Sequence, residues 1–333
     1  MKEETKYIFS KGSFTQDEYS IKFKVDKGNI HLPINNIKEL YLFNDITLTT
    51  KLLELFSKNG IVIHFFNYYE NYTGSFYPKN NLLSGKVVVL QAKKYLENRL
   101  EIAKAIVNGI AINIKNVLYH YYRHDSKQLK ETIDFYVKDV PKLLNKADSL
   151  LTIMSIEGKI WSLFYDSFKH FLKEDFIMNK RVKRPPDNPI NALISFGNTL
   201  LYTKTISQLY NTHLDQTISF LHEPSEGRFS LSLDLSEVFK PIIVYKTIFE
   251  LVNNNKIKVE KHFDSKLNYT LLNEDGKKIF VTAFEERINS TFEHSKLKRK
   301  VSYKQCIKLD GYKLIKNLLE DKEFKPFNID LKY

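Results

Sequence analysis

The sequence predicts an α+β fold: a small β-sandwich-like N-terminal domain at 1–80, a linker at 81–87, and a larger all-α C-terminal domain at 88–333. Three observations lead there. The first eighty or so residues alternate apolar and polar with a period of two, broken by turns, as half-buried strands do. After Pro78 the period becomes helical and stays so for most of the chain. No internal repeat or low-complexity tail interrupts either pattern.

Taken in order, YSIKFKV alternates, DKG supplies a turn and NIHLPI resumes the alternation, which makes a hairpin. IKELYLF is a third strand. ITLTTKLLELFSKNG predicts one short helix, with Leu48, Leu52, Leu55 and Phe56 at helical spacing and Gly60 as its stop. IVIHFF and YTGSFYP are further strands, so the helix lies across a sandwich or stacked sheet. KNNLLSGK reads as the linker. A long helix then runs from Val87 to about Tyr122, with Leu96, Leu100, Ala103, Val107, Ile110 and Ile114 on one apolar face. Further helices are expected at roughly 127–145, 147–173, 188–211, 233–253, 278–290 and 310–320, Pro241 kinking or splitting the fourth of these.

Composition limits the function classes. The chain has 333 residues, 43% hydrophobic and 27% charged, enough for two ordinary domains with a sizeable core. MKEETKYIFS lacks the apolar stretch of a signal peptide, and no apolar run approaches the ~20 residues of a membrane helix. Cys306 is the only cysteine, which excludes internal disulfides and Cys-rich zinc sites and suits a reducing cytoplasm. Any metal is therefore left to His, Asp and Glu. The formal net charge of +12 favours a polyanionic partner, since neutralising phosphates releases condensed counterions. An AT-rich coding sequence accounts for part of this lysine excess.

The stretch FLHEPSEGRFSLSLDLSEVFKP, 220–241, poses the chemical question. Leu231, Leu235 and Val238 mark a buried helical stripe, and Asp234 and Glu237 lie three apart beside it, with His222 upstream. Two carboxylates at that spacing repel, and a divalent cation reverses the sign. Oxygen ligands suit Mg²⁺ or Mn²⁺, and an added imidazole tilts the choice towards Mn²⁺. The same residues also fit a helix-capping box, Asp234 accepting and Glu237 reaching back, and the two readings stand level. In SLLTIMSIEGKIWSLFYDSF, Glu157 lies amid Leu150, Leu151, Met154, Trp161, Phe164, Tyr165 and Phe168. A carboxylate in so apolar a helix wants a partner, and Gly158 beside it points to close approach by a backbone or ligand. The alternative is a narrow solvent-facing strip with Lys159 and Ser162.

In this order, IEGKIWSLFYDSF, RPPDNPINALISFGNTLLYT, LDQTISFLHEPSEGRFSLSLDLSEVFKP and KLKRKVSYKQCIKLDGYKLIKNLLEDKEFKPF closely resemble the CRISPR-associated protein one family, nearest to its subtype I-B members. LFNDITLTTKLLELFSKNGIVIHFF and YTGSFYP also match that family's β domain, so the resemblance covers nearly the whole chain. It implies the metal-dependent DNA endonuclease and integrase of CRISPR adaptation, which joins captured fragments to the array by 3′-hydroxyl attack on phosphodiester bonds. By position, the family's metal ligands fall on Glu157, His222 and Glu237, and Asp234 matches a further acidic position of the catalytic site. Mg²⁺ or Mn²⁺ is the implied cofactor. Arg228 and Asn191 match further family positions, while Lys-Ile-Trp after Glu157-Gly158 departs from many members and alters the surroundings of Tyr165.

Arg184, Arg228, Lys240, Asn191 and Tyr165 are the expected DNA contacts, with Lys180, Arg181 and Lys183 beside them. KLKRK at 296–300 contacts DNA or keeps the tail soluble. The implied partners are prespacer DNA and the CRISPR repeat, a second copy through the β domain, and the small second adaptation protein of the locus. A stand-alone nuclease for branched DNA, or a basic scaffold without catalysis, are the competing classes.

Overall fold

The computed structural model describes residues 4–17, 20–26, 28–78, 82–124, 129–183, 185–266, 269–294 and 297–329. The chain divides into two compact units, Met1–Asn81 and Leu82–Tyr333.

The first unit is a two-sheet sandwich. Strands β1 (Glu4–Ile8), β5 (Ile37–Leu42), β7 (Val62–Phe66) and β8 (Tyr72–Phe76) form one sheet in the order β1-β5-β7-β8. The pairs β1–β5 and β5–β7 are parallel, and β7–β8 is antiparallel. The second sheet has the order β4-β3-β2-β6, from β2 (Gly12–Asp17), β3 (Ser20–Val25), β4 (Gly28–Pro33) and β6 (Ile46–Thr47). The expected hairpin is β3–β4, registered from Ser20 opposite Pro33 to Val25 opposite Gly28. Phe14, Ile21 and Phe23 of one sheet meet Leu40, Leu42 and Ile63 of the other, with Leu52 and Phe56 of helix α1 (Thr50–Lys58) in the same core. That helix begins later than its apolar spacing implies. Ile46–Thr47 pairs with β2, and Thr49 is the cap, its hydroxyl accepting the N–H of Leu52 at 3.3 Å. Gly60, at φ +65°, ends the turn after the helix as expected.

The second unit is built on helices, with two short hairpins among its described residues. Helix α2 (Gly85–His124) leaves helical geometry at Asn98, φ −154° and ψ 52°. The kink rotates its apolar face, so Ala103, Val107, Ile110 and Ile114 are buried while Leu96, before the kink, is 80% exposed. Helices α3 (Lys130–Asp134) and α4 (Val140–Lys146) are joined by a π turn at Phe135–Asp139. Helix α5 (Leu150–Asp166) starts at a Ser149 cap and ends earlier than expected, where Ser167 donates its hydroxyl to the Phe164 carbonyl and the chain tightens to a 3₁₀ turn.

Helix α6 (Pro189–Tyr210) is capped by Asn188 and has Pro189 in its first turn. It is buried nearly all round, against helices α7 (Ser230–Lys240) and α11 (Tyr303–Glu320) among others. A Cβ at Gly197 would lie 2.6 Å from Val244 and 2.8 Å from Phe280, so only glycine permits this packing. Pro241 divides its segment as expected: α7 passes through a π turn, Pro241–Tyr245, into α8 (Lys246–Asn253).

A short helix α9 (Val259–His262) leads into the hairpin β9 (Phe263–Lys266) and β10 (Tyr269–Leu272). Helix α10 (Glu274–Asn289) precedes the second hairpin, β11 (Thr291–His294) and β12 (Arg299–Ser302). Helix α11 starts earlier than its periodicity implies because Ser302 and Gln305 form a capping box. Among the described residues no helix is long and apolar enough to cross a membrane.

Candidate metal centre

Five separate segments of the second unit close around one pocket of about 560 Å³. Helix α5 contributes Glu157, Trp161 and Tyr165; the 178–183 segment contributes Lys180 and Arg181; α6 contributes Asn198. His222 comes from the connection before α7, and α7 itself supplies Glu237 and Lys240. Glu157, His222 and Glu237 thus line the same space although they are far apart in sequence.

Each is placed by a local reason. On α5, Ile153, Ile156, Ile160 and Phe164 are buried, which turns the Glu157 side of the helix to the pocket. The helix is less buried than its apolar sequence implies, since Leu151 is 80% exposed. A Cβ on Gly158 would meet nothing within 4 Å, so of the two expected causes of close approach, a backbone or a ligand, the backbone is not present, and the position opens on the pocket. Glu237 lies one turn beyond Leu233 and directly after Ser236, on a stretch of α7 in which nearly every residue is buried.

Asp234 is not a cap. Helix α7 begins at Ser230 after Phe229, so Asp234 lies more than a turn inside it. Its fully buried carboxylate faces the preceding connection instead. One oxygen accepts the N–H groups of Phe220 at 2.7 Å and Leu221 at 2.8 Å. The other accepts the N–H of His222 at 3.0 Å and its ring Nδ1 at 2.8 Å. With a carboxylate on Nδ1, the neutral imidazole carries its proton there and keeps a lone pair on Nε2. Asp234 therefore serves His222 and does not line the pocket.

The electrostatics follow from this arrangement. Burial, and then the negative charge of Glu237, push the Glu157 carboxyl up to about 7, against the pull of His222, Lys240 and the Trp161 indole. Burial disfavours charge on His222, but the Asp234 hydrogen bond and the charges of Asp234, Glu237 and Glu157 outweigh it and raise its pKa. Lys240 sets its ammonium on the Glu237 carboxylate, and that ammonium also lies 6.0 Å from the Trp161 ring centre.

Among the described residues no group of three or more His, Cys, Asp or Glu side chains is drawn together as a formed cation cage. The donor set nevertheless fits a hard divalent ion: two carboxylates and one imidazole share a pocket, and the like-charge stress on Glu157 is what a cation relieves.

The expected DNA contacts separate into groups. Asn191 is fully buried, its amide nitrogen donating to the Lys180 carbonyl and Asp187, its oxygen accepting from Arg181 at 3.0 Å. Arg181 is likewise committed to Asn191 and to the Ser195 hydroxyl. Lys240 is bound to Glu237. Tyr165 lines the pocket with its hydroxyl 2.9 Å from that of Tyr245, and burial pushes its pKa up to about 12. Lys180 and Lys183 are exposed at the pocket, and Arg228 is exposed before α7. Arg184 and part of the 296–300 run lie outside the described residues.

Sequence reasoning missed Arg99 of α2, whose guanidinium binds the connection that carries His222. No local pattern marks it, because the backbone it binds lies more than a hundred residues away.

Comparison with known proteins follows the same outline. The family model described as CRISPR associated protein Cas1 matches residues 6–286. The CRISPR-associated protein Cas1 1 of Methanobrevibacter ruminantium is 44% identical over 99% of both chains. The CRISPR-associated endonuclease Cas1 of Fusobacterium nucleatum is 40% identical over 97% of this chain and 96% of its own. Among solved structures, a Cas1 protein from Thermotoga maritima superposes with a TM-score of 0.82 at 34% identity, covering 96% of this chain and 99% of that one.

Proposed function

The chain belongs to the Cas1 family of CRISPR-associated proteins, and from that premise we propose that it is a divalent-metal-dependent DNA endonuclease and integrase that inserts captured fragments into a CRISPR array. The observation that carries this reading is the gathering of Glu157, His222 and Glu237 in one pocket, with the imidazole held by Asp234. The name endonuclease borne by relatives at 40–42% identity supports the class of reaction.

In this reading Glu157, Glu237 and Nε2 of His222 hold Mg²⁺ or Mn²⁺. The bound ion supplies Lewis-acid polarisation of the scissile phosphate and stabilisation of the leaving oxygen. The chain's own groups do the rest. Asp234 keeps the proton on Nδ1 so that Nε2 stays a donor. Lys240 balances Glu237 and is placed to turn to a phosphate once that carboxylate is engaged. Lys180, Lys183 and Arg228 attract the DNA backbone without reading sequence. In the joining step a fragment's 3′-hydroxyl oxygen bonds to phosphorus and gives its proton to water, while the displaced strand's oxygen leaves with the electrons of the broken P–O bond and takes a proton from water. Water as nucleophile gives hydrolysis, so a stand-alone nuclease uses the same pocket.

The cytoplasm, a homodimer formed through the β unit, and a second small adaptation protein complete the proposal. The test is strand joining with Mn²⁺ on repeat-containing DNA, using fragments with free or blocked 3′ ends. Joining by the wild type only with free 3′ ends, lost in His222→Ala and Glu157→Ala while DNA binding persists, supports integration. Cleavage indifferent to the 3′ end makes the chain a nuclease, and undiminished joining by the variants removes these residues from the reaction.

A further inference from the structure

His222 belongs to a connection that has neither helix nor strand. Such a segment keeps its geometry only where its backbone groups find partners. The Asp234 carboxylate takes the N–H groups of Phe220, Leu221 and His222. On the other side stands Arg99. Its Nε donates to the Phe220 carbonyl at 2.9 Å, and one terminal nitrogen to the carbonyls of His222 at 3.2 Å and Leu221 at 3.5 Å. Its other terminal nitrogen meets the Glu223 carboxylate at 2.8 Å. Three consecutive residues thus have their N–H groups on one anion and their C=O groups on one cation. Ser219 adds its hydroxyl to the His222 carbonyl at 2.6 Å.

Arg99 is itself fixed. It follows the break in α2 at Asn98, where the helix changes direction. Its guanidinium lies 4.3 Å from the Tyr95 ring centre, and the Tyr95 hydroxyl donates to Glu223 at 2.9 Å. The side chain is only 14% exposed. Spanning three carbonyls and a carboxylate needs the planar fork of guanidinium; a lysine ammonium has one point of charge and cannot cover them.

We infer that Arg99 is a positioning residue: with Asp234 it clamps the Phe220–His222 backbone so that the imidazole keeps its proton on Nδ1 and turns Nε2 to the pocket. Its consequence for metal binding rests on the function proposed above, whereas the clamp itself does not. Gln91 extends the same device upstream, donating to the carbonyls of Asp215 and Ile218, each at 2.7 Å.

Two readouts on full-length protein decide it. In metal-free buffer, backbone amide exchange of residues 220–222 is compared between wild type and Arg99→Lys. The expected result is exchange faster by about tenfold or more in this segment, with α6 and α11 unchanged. Unchanged exchange overturns the clamp. Mn²⁺ binding by calorimetry should weaken by roughly 10–100-fold in Arg99→Lys. Faster exchange with Mn²⁺ affinity intact, where Glu157→Gln loses it, overturns the positioning role. Should the wild type bind no Mn²⁺, the metal reading fails, and imidazole ¹⁵N shifts decide. A His222 ring that becomes a tautomer mixture in Arg99→Lys supports positioning, and an unaltered ring overturns it.

Discussion

Nδ1 of His222 lies 2.8 Å from Oδ1 of Asp234, and the same carboxylate accepts three consecutive backbone N–H groups. An aspartate so occupied orients the imidazole rather than offering oxygen to a cation. Asp234→Asn puts an amide NH₂ where one acceptor stood. It should weaken Mn²⁺ binding by about 10–100-fold and lower stability by roughly 1–3 kcal/mol. Calorimetry and urea unfolding measure the two; intact affinity makes Asp234 a residue of the fold alone.

Glu157 carries a stability penalty that the proposed cation would relieve. A carboxyl whose folded pKa lies above its ordinary 4.5, here about 7, contributes stability that is present below about pH 4.5 and is lost as pH rises through about 7. Glu157→Gln stays neutral throughout. In EDTA it should be more stable than wild type at pH 8 by roughly 1–3 kcal/mol, with the difference shrinking towards pH 5. Thermal melts across that range check it, and a gain independent of pH contradicts a carboxyl raised by burial and by Glu237.

Gly158 has open space where a Cβ would stand. Within a helix interior glycine costs about 0.5–1 kcal/mol relative to alanine, so Gly158→Ala should raise stability by that amount. Chemical denaturation of the metal-free protein reads it directly. A loss of stability would mean that something in the fold does approach that face.

Asn191 and Lys183 should part company in a DNA-binding assay. Asn191→Ala leaves buried partners unsatisfied and should cost about 1–3 kcal/mol of stability with the salt dependence of DNA binding unchanged. Lys183→Gln should leave stability alone and reduce the slope of log K against log salt by about 0.9. Titrations at several salt concentrations separate them, and equal slopes remove Lys183 from the interface.

The sequence made some of this legible because local pattern and local structure agree. Alternation gave the β3–β4 hairpin, Gly60 its helix stop, and Pro241 the division between α7 and α8. Glu157, His222 and Glu237 are named through the resemblance of their motifs and line one pocket, although nothing in their spacing brings them together. Other features depend on tertiary partners. The Asn98 break reverses the fate of Leu96, which periodicity placed in the core. Asp234 resembles a cap in sequence, but α7 starts a turn before it, leaving its carboxylate to the 220–222 backbone. Asn191 is named from its match to the family after the Pro-Pro-Asp turn, and nothing local in the sequence shows that its amide closes an internal network with Asp187 and Arg181. Arg99 shows no pattern at all, since its role exists only once α2 and the His222 connection meet.

The central claim is that Glu157, His222 and Glu237 bind one shared divalent ion. Mn²⁺ titration of the metal-free protein at pH 8, by calorimetry with wild type, Glu157→Gln, His222→Ala and Glu237→Gln side by side, addresses it most directly. The account predicts a site whose affinity falls by about tenfold or more in each variant, with double variants losing little beyond the single ones. Three variants that bind Mn²⁺ as the wild type does would contradict it.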